Sequence, residues 1–180
     1  AVAIPLKDRI LGRTVPDLLV RLQSTGACRF CNLSGVSFKD KMDLSGLDLR
    51  SANLSGARLV EANLSGVNLG NANLTAATLM NANLVGARLM EANLSEADLR
   101  FTSMSEANLT EANLSESDLS GSDLTRVSLK GANLTRANLT DANLATANLI
   151  GADLRRSKLT NTNLTRADLT RADLSAGNLI

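Results

Sequence analysis

The segment Cys28-Arg29-Phe30-Cys31 contains both cysteines of the chain, at a spacing that zinc sites and thiol redox centres use. A structural zinc ion needs four ligands, and the sequence has no histidine and no third cysteine. A thioredoxin-like redox centre needs a strand, a helix and a second strand around the motif, a pattern that this sequence lacks. These residues therefore favour a structural role, either a disulfide or two buried thiols.

Hydroxyl and carboxyl groups are abundant, but the sequence does not arrange them for catalysis. Without histidine, no Ser-His or Cys-His pair can activate a nucleophile. Carboxylate pairs that cleave polysaccharides work in clefts walled by long loops, and here no insertion longer than one residue interrupts the repeat. The sequence predicts that the protein is not an enzyme and that it binds no cofactor and no metal ion.

A five-residue repeat sets the elements that position these groups. From Leu44 to Leu179 every fifth residue is leucine, except Met104. Two positions before most of these leucines lies a small residue, usually alanine, and one position before them usually lies Asn or Asp. Neither a helix nor a flat strand places residues five apart on one side, whereas Asn and Asp favour turns. The pattern predicts a turn in every unit, with the leucine and the small residue pointing inward.

Stacked coils would satisfy both the backbone and the leucines. The backbone of each coil would pair with the coils above and below it, about 4.8 Å away. Each inward leucine would then lie on the leucine of the next coil, and full burial of one leucine stabilises by roughly 1.5–3 kcal/mol. The sequence thus predicts an all-β solenoid with a leucine core.

The unit Ala-(Asn/Asp)-Leu-(Ser/Thr)-X, repeated over residues 42–180, resembles the motif of the pentapeptide-repeat family. The resemblance implies a right-handed quadrilateral parallel β-helix with four units per coil, a number that the five-residue period alone does not fix. On that basis we expect about seven to eight coils, forming a rod roughly 35 Å long at the spacing of strands in a sheet.

The chain is expected to form one domain, with an N-terminal segment over 1–25 and the β-helix over 26–180. Leu33 and Phe38 are five apart but Leu44 is six from Phe38, which predicts one inserted residue at a corner near 39–41. The last repeats have no sequence like a cap, so we expect a monomer or an end-to-end dimer through the C-terminal end.

A short helix is predicted to cover the N-terminal opening of the stack. Thr14 is the expected N-cap, and Gly26 lies just past the expected end. Met42 and Leu47, which are larger than the usual alanine, would lie beneath the helix. Its first turn would contain Pro16 and Asp17. Its apolar face would comprise Val15, Leu18, Leu19 and Leu22.

The repeat register assigns both cysteines to inward positions. Cys28 occupies a leucine position and Cys31 the following small position, at the two ends of one turn. Such ends lie within about 7 Å, a distance that permits a disulfide. We favour the disulfide over free buried thiols. It would indicate an oxidising compartment such as the thylakoid lumen or the periplasm, whereas free thiols would leave the cytoplasm open. Some cyanobacterial and chloroplast-lumen family members carry a similar helix followed by a C-x-x-C segment.

Three sets of outward residues are candidates for binding a partner. Asn53, Asn73, Asn93, Asn113 and Asn133 would share one face, where an amide ladder supporting the turns is favoured over a ligand-binding stripe. A belt of acidic residues either keeps the protein soluble or docks a partner: Glu91, Glu96, Asp98, Glu106, Glu111, Glu116 and Asp118. Val60, Met80 and Phe101 form a candidate apolar contact patch.

By elimination, the sequence predicts a non-catalytic scaffold that binds an unidentified protein partner. The alternative is a DNA mimic that modulates or protects a topoisomerase such as DNA gyrase, as some family members do. Those proteins are strongly negative, whereas this chain has a net charge of +1. Direct nucleic-acid binding is not expected because the sequence has no dense basic stripe and no stacking aromatic residues. No membrane insertion is expected because no sufficiently long apolar stretch is present.

Overall fold

The computed structural model describes Leu22 and residues 24–178, which form a stack of four-sided coils. From Asp43↔Asn63 through Lys158↔Asn178, parallel β-bridges join residues twenty positions apart. Twenty residues are four units, so the structure supplies the number of sides that the five-residue period left open. Each column of bridges has seven or eight levels, in agreement with the expected number of coils.

We number the four faces in chain order, and each contributes one bridge residue per coil. Face 1 comprises Ala27, Asp48, Asn68, Arg88, Asn108, Ser128, Asn148 and Asp168. Face 2 comprises Asn32, Asn53, Asn73, Asn93, Asn113, Asn133, Asp153 and Asp173. Face 3 comprises Ser37, Arg58, Thr78, Asp98, Asp118, Asn138, Lys158 and Asn178. Face 4 comprises Asp43, Asn63, Asn83, Ser103, Asp123, Asn143 and Asn163.

The unit 112–116 shows how the backbone is satisfied. The N–H groups of Asn113, Leu114 and Glu116 donate to carbonyl oxygens of neighbouring coils at 2.7–2.9 Å. The N–H of Ala112 closes the preceding corner by donating to a leucine carbonyl oxygen at 3.0 Å. The remaining N–H, that of Ser115, donates to Oδ1 of Asn113 at 3.1 Å. Asn and Asp recur before the leucine because their side chains accept the one N–H that the stack leaves over.

The residue two positions after each leucine has a positive φ, as the third residue of a type II turn does. Glycine holds this position at some corners, for example Gly66 and Gly121. At most corners a residue with a side chain holds it, for example Glu111 with a φ of 58°. These side chains lie at the outermost points of the coil, where they are available for contact.

The core is a continuous column of leucines and alanines. Leucines of the middle coils, such as Leu84, are fully buried, and Met104 fills its leucine position equally well. Thr102, Ser117 and Ser122 replace alanine in the small position, and their hydroxyls donate to the carbonyl oxygen three residues earlier at 2.6–2.7 Å. Such hydrogen bonds let a polar side chain occupy the core.

The first coil contains one extra residue, as the sequence predicts. Its bridges, such as Ser37↔Arg58, join residues twenty-one apart, whereas Asp43 already bridges to a residue twenty away. The corner after Phe38 closes one residue late, because the N–H of Met42 donates to the carbonyl oxygen of Lys39 at 3.0 Å. The insertion therefore lies in the corner itself.

The predicted N-terminal helix lies mostly outside the described residues, including Thr14 and the rest of its expected first turn. Leu22, Ser24 and Thr25 are helical. Gly26 follows with a φ of 66°, and its N–H donates to the carbonyl oxygen of Leu22 at 3.0 Å, a common way for a helix to end. The described helical residues do not form a segment that could cross a membrane.

The N-terminal opening of the stack is partly closed by Leu22, which is buried. Leu22 lines a cavity of about 280 Å³ together with Met42, Leu44 and Leu47. The two larger side chains, Met42 and Leu47, therefore lie where the sequence places them, next to the carboxyl end of the helical residues.

A disulfide joins Cys28 to Cys31 and closes the first turn. Their Cα atoms are 5.5 Å apart, and both residues are buried in the leucine and alanine positions that the register assigns to them. This confirms the predicted disulfide over the alternative of free thiols.

Candidate partner-binding surface

The acidic residues of the belt lie on two successive coils. Glu106 lies at the corner between faces 4 and 1, and Asp98 and Asp118 lie on face 3. The other four form the acidic patch, which comprises Glu91 and Glu111 at the corner between faces 1 and 2 and Glu96 and Glu116 at the corner between faces 2 and 3.

The acidic patch frames face 2 from both edges. Between its two edges lie Asn93 and Asn113, whose side chains are joined by a hydrogen bond from Nδ2 of Asn113 to Oδ1 of Asn93 at 3.1 Å. The patch residues follow the turn geometry of their corners, so their backbone is fixed by bonds to the next coil, such as Glu91 N–H to Thr110 O at 3.0 Å. Negatively charged side chains of successive coils therefore lie one above the other on a rigid backbone.

Arginines of the next coil neutralise part of the belt. Arg126 pairs with Glu106 at 3.3 Å, and Nη1 of Arg136 donates to Oε1 of Glu116 at 2.9 Å. Glu91, Glu96 and Glu111 have no ion-pair partner among the described residues.

Asp98 is neutralised within its own turn. Nε and Nη2 of Arg100 donate to the two carboxylate oxygens of Asp98 at 2.8 and 2.7 Å. These hydrogen bonds hold the pKa of Asp98 below its usual range. Four belt residues therefore lack an ion pair among the described residues: three lie in the acidic patch, and the fourth, Asp118, accepts hydrogen bonds from Ser120 N–H and Asn138 Nδ2 on face 3.

The predicted apolar patch is only partly present. Val60 is 6% exposed, so its placement at the surface was wrong. Val60 holds the first outward turn position, and Met80 holds the same position in the next coil. The two coils are joined there by the N–H of Glu61, which donates to the carbonyl oxygen of Met80 at 2.9 Å. Met80 itself is half-buried.

Phe101 is 59% exposed but packs on its own stack. A Cβ placed on Gly121, at the same corner one coil on, would come within 2.6 Å of the Phe101 ring. The ring therefore lies over the glycine. This contact gives Phe101 a structural role and weakens its assignment to a binding patch.

Among the described residues Phe30 is the most exposed large apolar side chain, at 77%, and the sequence pattern did not single it out. It has a φ of 56° at the outermost position of the turn that the disulfide closes. The sequence signal that could have identified Phe30 was its spacing. Cys28 holds a leucine position, and the second residue after a leucine position lies at the outermost point of its turn.

The asparagine column is confirmed as a structural ladder. Asn53 through Asn133 stack on face 2, followed by Asp153 and Asp173. Their Oδ1 atoms accept N–H groups of the following turn, and Nδ2 of Asn133 donates to Oδ1 of Asn113 at 3.1 Å. These side-chain groups are engaged by neighbours in the stack, which opposes the interpretation as a ligand-binding stripe.

Groups suited to catalysis or metal binding do not converge in the described part of the chain. Both cysteines are bonded to each other, and the sequence has no histidine. No set of three or more cysteine or acidic side chains is placed to hold a metal ion within the described ranges. The arrangement of this surface suits electrostatic contact with another molecule.

Comparison with known proteins identifies the repeat. A family model described as pentapeptide repeats matches in eight copies, over residues 28–66, 43–81, 57–95, 92–131, 102–141 and 147–180. No curated protein matched the sequence at the significance required.

Several solved structures are similar to this chain. A trypsin-treated variant of QnrB1, a plasmid-mediated fluoroquinolone resistance protein, is 18% identical with a TM-score of 0.76, and the match covers 85% of this chain and 81% of that one. HetL, involved in heterocyst differentiation regulation in the cyanobacterium Nostoc, is 26% identical with a TM-score of 0.40, covering 92% and 94%. A pentapeptide repeat protein from the Arabidopsis thaliana thylakoid lumen is 28% identical with a TM-score of 0.33, covering 68% and 70%. The likeness to QnrB1 supports the right-handed quadrilateral β-helix. The present chain belongs to the pentapeptide repeat family.

Proposed function

We propose that this protein is a non-catalytic scaffold that docks a protein partner carrying basic groups against the acidic patch. One observation carries the proposal: Glu91, Glu96 and Glu111 lack ion-pair partners among the described residues, yet a rigid backbone holds them along both edges of face 2. Charge of one sign on a fixed frame favours a complementary partner and speeds its association.

In the free protein, the stacked glutamates of the acidic patch repel one another, which is energetically unfavourable. Glu91 and Glu111 occupy the same position in successive coils, as do Glu96 and Glu116, at a coil spacing of about 4.8 Å. Like charges at this distance repel one another. A lysine or arginine of a partner placed between the two edges would relieve that repulsion. Because the patch is exposed, salt should weaken the interaction.

The first test is site-specific photo-crosslinking in the native host. A photoreactive residue replaces Ser95, beside the patch, or Ser65, on the opposite corner. The proposal expects a protein captured from Ser95 and not from Ser65. The triple change Glu91→Gln, Glu96→Gln and Glu111→Gln should abolish that capture.

A matched triple change controls for total charge. Asp123→Asn, Asp141→Asn and Asp168→Asn remove the same charge from elsewhere, and each amide retains an oxygen for the hydrogen bond that the aspartate accepts. Capture from Ser95 should persist in this variant. Equal capture from Ser95 and Ser65, or equal loss with both triple variants, would contradict docking at the acidic patch.

Modulation of a topoisomerase such as DNA gyrase is the alternative function. The observation in favour of this alternative is the fold that the chain shares with QnrB1, a plasmid-mediated fluoroquinolone resistance protein. The charge pattern opposes it, because the corner between faces 2 and 3 changes from Glu96 and Glu116 to Arg136 and Arg156 within four coils. A DNA mimic needs negative charge along the length of the rod. Inhibition or drug protection in a gyrase supercoiling assay at low micromolar protein would favour the alternative over the scaffold.

We also infer that the protein works in an oxidising compartment. The disulfide between Cys28 and Cys31 supports this, because such bonds persist mainly outside reducing cytosol. Alkylation of the protein in intact host cells, before lysis, should label neither cysteine. Labelling of both would place the protein in a reducing compartment instead.

A further inference from the structure

An open groove of about 530 Å³ crosses the corner between faces 2 and 3, in the coils that follow the acidic patch. Its lining residues are Thr135, Arg136, Arg155, Arg156, Ser175 and Ala176. They occupy the two outward turn positions of three successive coils, since the N–H of Arg136 donates to Arg155 O and that of Arg156 to Ser175 O, each at 3.0 Å. The groove arises because long arginines alternate with the short side chains of Thr135, Ser175 and Ala176.

Arg155 is held in place by a carboxylate on face 2. Its Nε and Nη2 donate to Oδ1 and Oδ2 of Asp153 at 2.8 and 2.6 Å, and its Nε is 3.9 Å from Oδ2 of Asp173. The side-chain hydrogen bonds from Arg155 hold the pKa of Asp153 below its usual range, so the pair stays charged. Nη1 of Arg155 has no hydrogen bond among the described residues and remains available.

The other two arginines have spare donors. Arg136 uses Nη1 to bind Glu116 at 2.9 Å, and its remaining N–H groups are not engaged within the described ranges. Arg156 has no ion pair with any described residue and lies exposed at the outermost turn position. Three guanidinium groups thus meet at one groove, one of them without a counter-charge.

Two other arginines show that this clustering is local. Arg166 and Arg171 hold the same turn position as Arg156, with φ values of 58° and 60° against 59°. The residues at that position one coil earlier are Thr146 and Gly151, which carry no charge. Arg166 and Arg171 therefore match Arg156 in backbone geometry but lack an adjoining arginine.

We propose that this groove binds an oxyanion of the phosphate type, at a site separate from the three unpaired glutamates of the acidic patch. Guanidinium groups recognise phosphate through paired, charge-assisted hydrogen bonds, and several of them suit a dianion better than a monoanion. A phosphate monoester such as O-phosphoserine becomes dianionic only above about pH 6, and inorganic phosphate does so at a somewhat higher pH, whereas the arginines stay protonated throughout. Binding should therefore weaken as the pH falls below 6. The natural ligand is either free phosphate or a phosphorylated side chain of another protein.

The test is a titration of the full chain, followed by amide chemical shifts in NMR. Inorganic phosphate and O-phosphoserine are the two probes, with sodium chloride at matched ionic strength as the reference. We expect saturable shifts at Ser175 and Ala176 with a dissociation constant on the order of 1 mM, because the site is exposed to solvent. Tighter binding of O-phosphoserine would indicate a phosphorylated protein as the source, and equal binding would indicate free phosphate.

Variants separate a built site from general attraction to positive charge. Arg156→Gln should weaken binding by roughly fivefold or more, whereas Arg166→Gln, which loses the same charge at the same backbone geometry, should change it less than about twofold. Circular dichroism of both variants should match the parent protein. The proposal is wrong if no shifts saturate, if both variants weaken binding equally, or if binding at pH 5 equals binding at pH 7.5.

Discussion

Leucines of identical spacing are buried to different degrees in the middle coils and in the last described coil. Leu84 is fully buried, whereas Leu164, Leu169 and Leu174 are only partly buried although they belong to the same core. The difference teaches that a unit does not bury its own leucine. The coils above and below it do so, as expected for a solenoid in which each repeat contacts only its neighbours.

The largest effect should come from charging this core. We expect Leu84→Asp to lower the free energy of unfolding by about 4 kcal/mol or more, because the carboxylate would be buried without a partner. Leu174→Asp should cost roughly 1 kcal/mol, since its side chain already reaches water. Chemical denaturation measures both. Equal losses would show that the two regions are equally buried in solution.

Among the described residues the first coil also has a neighbouring coil on one side only, yet Cys28 and Cys31 are buried. Leu22 lines the cavity at this end of the stack, and the disulfide closes the first turn. We expect the double change Cys28→Ser and Cys31→Ser to lower the free energy of unfolding by about 2 kcal/mol, the entropy of closing so short a loop. Reductant should destabilise the parent protein and leave the double variant unchanged. A variant as stable as the parent would show that the bond does not protect this end.

Contact with the neighbouring coil should also determine how strongly a glycine-to-alanine change at a corner destabilises the fold. Gly66 and Gly121 have φ values of 63° and 66°, but only Gly121 lies beneath a ring, that of Phe101. Gly66→Ala should cost about 1 kcal/mol through backbone strain alone. Gly121→Ala should cost about 1 kcal/mol more, because the ring must move.

A double variant tests the source of that extra cost. In a Phe101→Ala background, Gly121→Ala should cost only the strain seen at Gly66, because the ring is absent. Thermal unfolding of the parent protein, the two single variants and the double variant measures this. If the excess persisted without the ring, contact with Phe101 would not be its cause.

Acid should affect the first coils more than the middle through the charged pairs of Asp48. Side-chain hydrogen bonds from Arg50, together with Arg29, hold the pKa of Asp48 well below its usual range, whereas Asp98 is bonded by Arg100 alone. A carboxyl with a lowered pKa stabilises the fold above its unfolded pKa of about 3.9, and this stability is lost as pH falls through the folded value.

Replacement by the isosteric amide isolates this charge. Asp48→Asn should lower the melting temperature at pH 7, and the difference from the parent should shrink at pH 2. Asp98→Asn should show the same trend with a smaller amplitude at pH 7. A deficit of Asp48→Asn that is as large at pH 2 as at pH 7 would mean that the charge is not responsible.

The smallest effect is expected on the outward side of a unit. Ser65 follows the buried Leu64 and lies at a corner, so Ser65→Asp should change the free energy of unfolding by less than about 0.5 kcal/mol. Chemical denaturation beside Leu84→Asp provides the reference. A loss comparable to that of Leu84→Asp would contradict the assignment of inward and outward positions.

Much of the fold followed from the five-residue period, because inward and outward positions are local properties of each unit. The inserted residue near Lys39 and the bond between Cys28 and Cys31 were predictable for the same reason. The number of sides was not, because it depends on which units meet between coils. Burial of Val60 was missed since an outward position can be buried only through the way in which neighbouring coils stack.

For the candidate sites too, the residue types could be predicted from the sequence, whereas their spatial arrangement could not. The acidic residues could be named from the sequence, but their alignment along both edges of face 2 needed the twenty-residue register. The groove formed by Arg136, Arg155 and Arg156 required that register too, because Arg136 and Arg156 adjoin only when coils have four sides. A stacked arrangement of surface groups is thus readable from sequence only once the coil length is known.

That coil length is most directly tested by the distance between two spin labels, at Glu61 and Asn161. Both are exposed, lie at the corner between faces 3 and 4, and are one hundred residues apart, which makes five coils. Pulsed electron spin resonance should give one narrow distribution centred on about 24 Å, five times the spacing of stacked strands. A broad distribution, or a distance that matches another number of residues per coil, would contradict the four-sided stack.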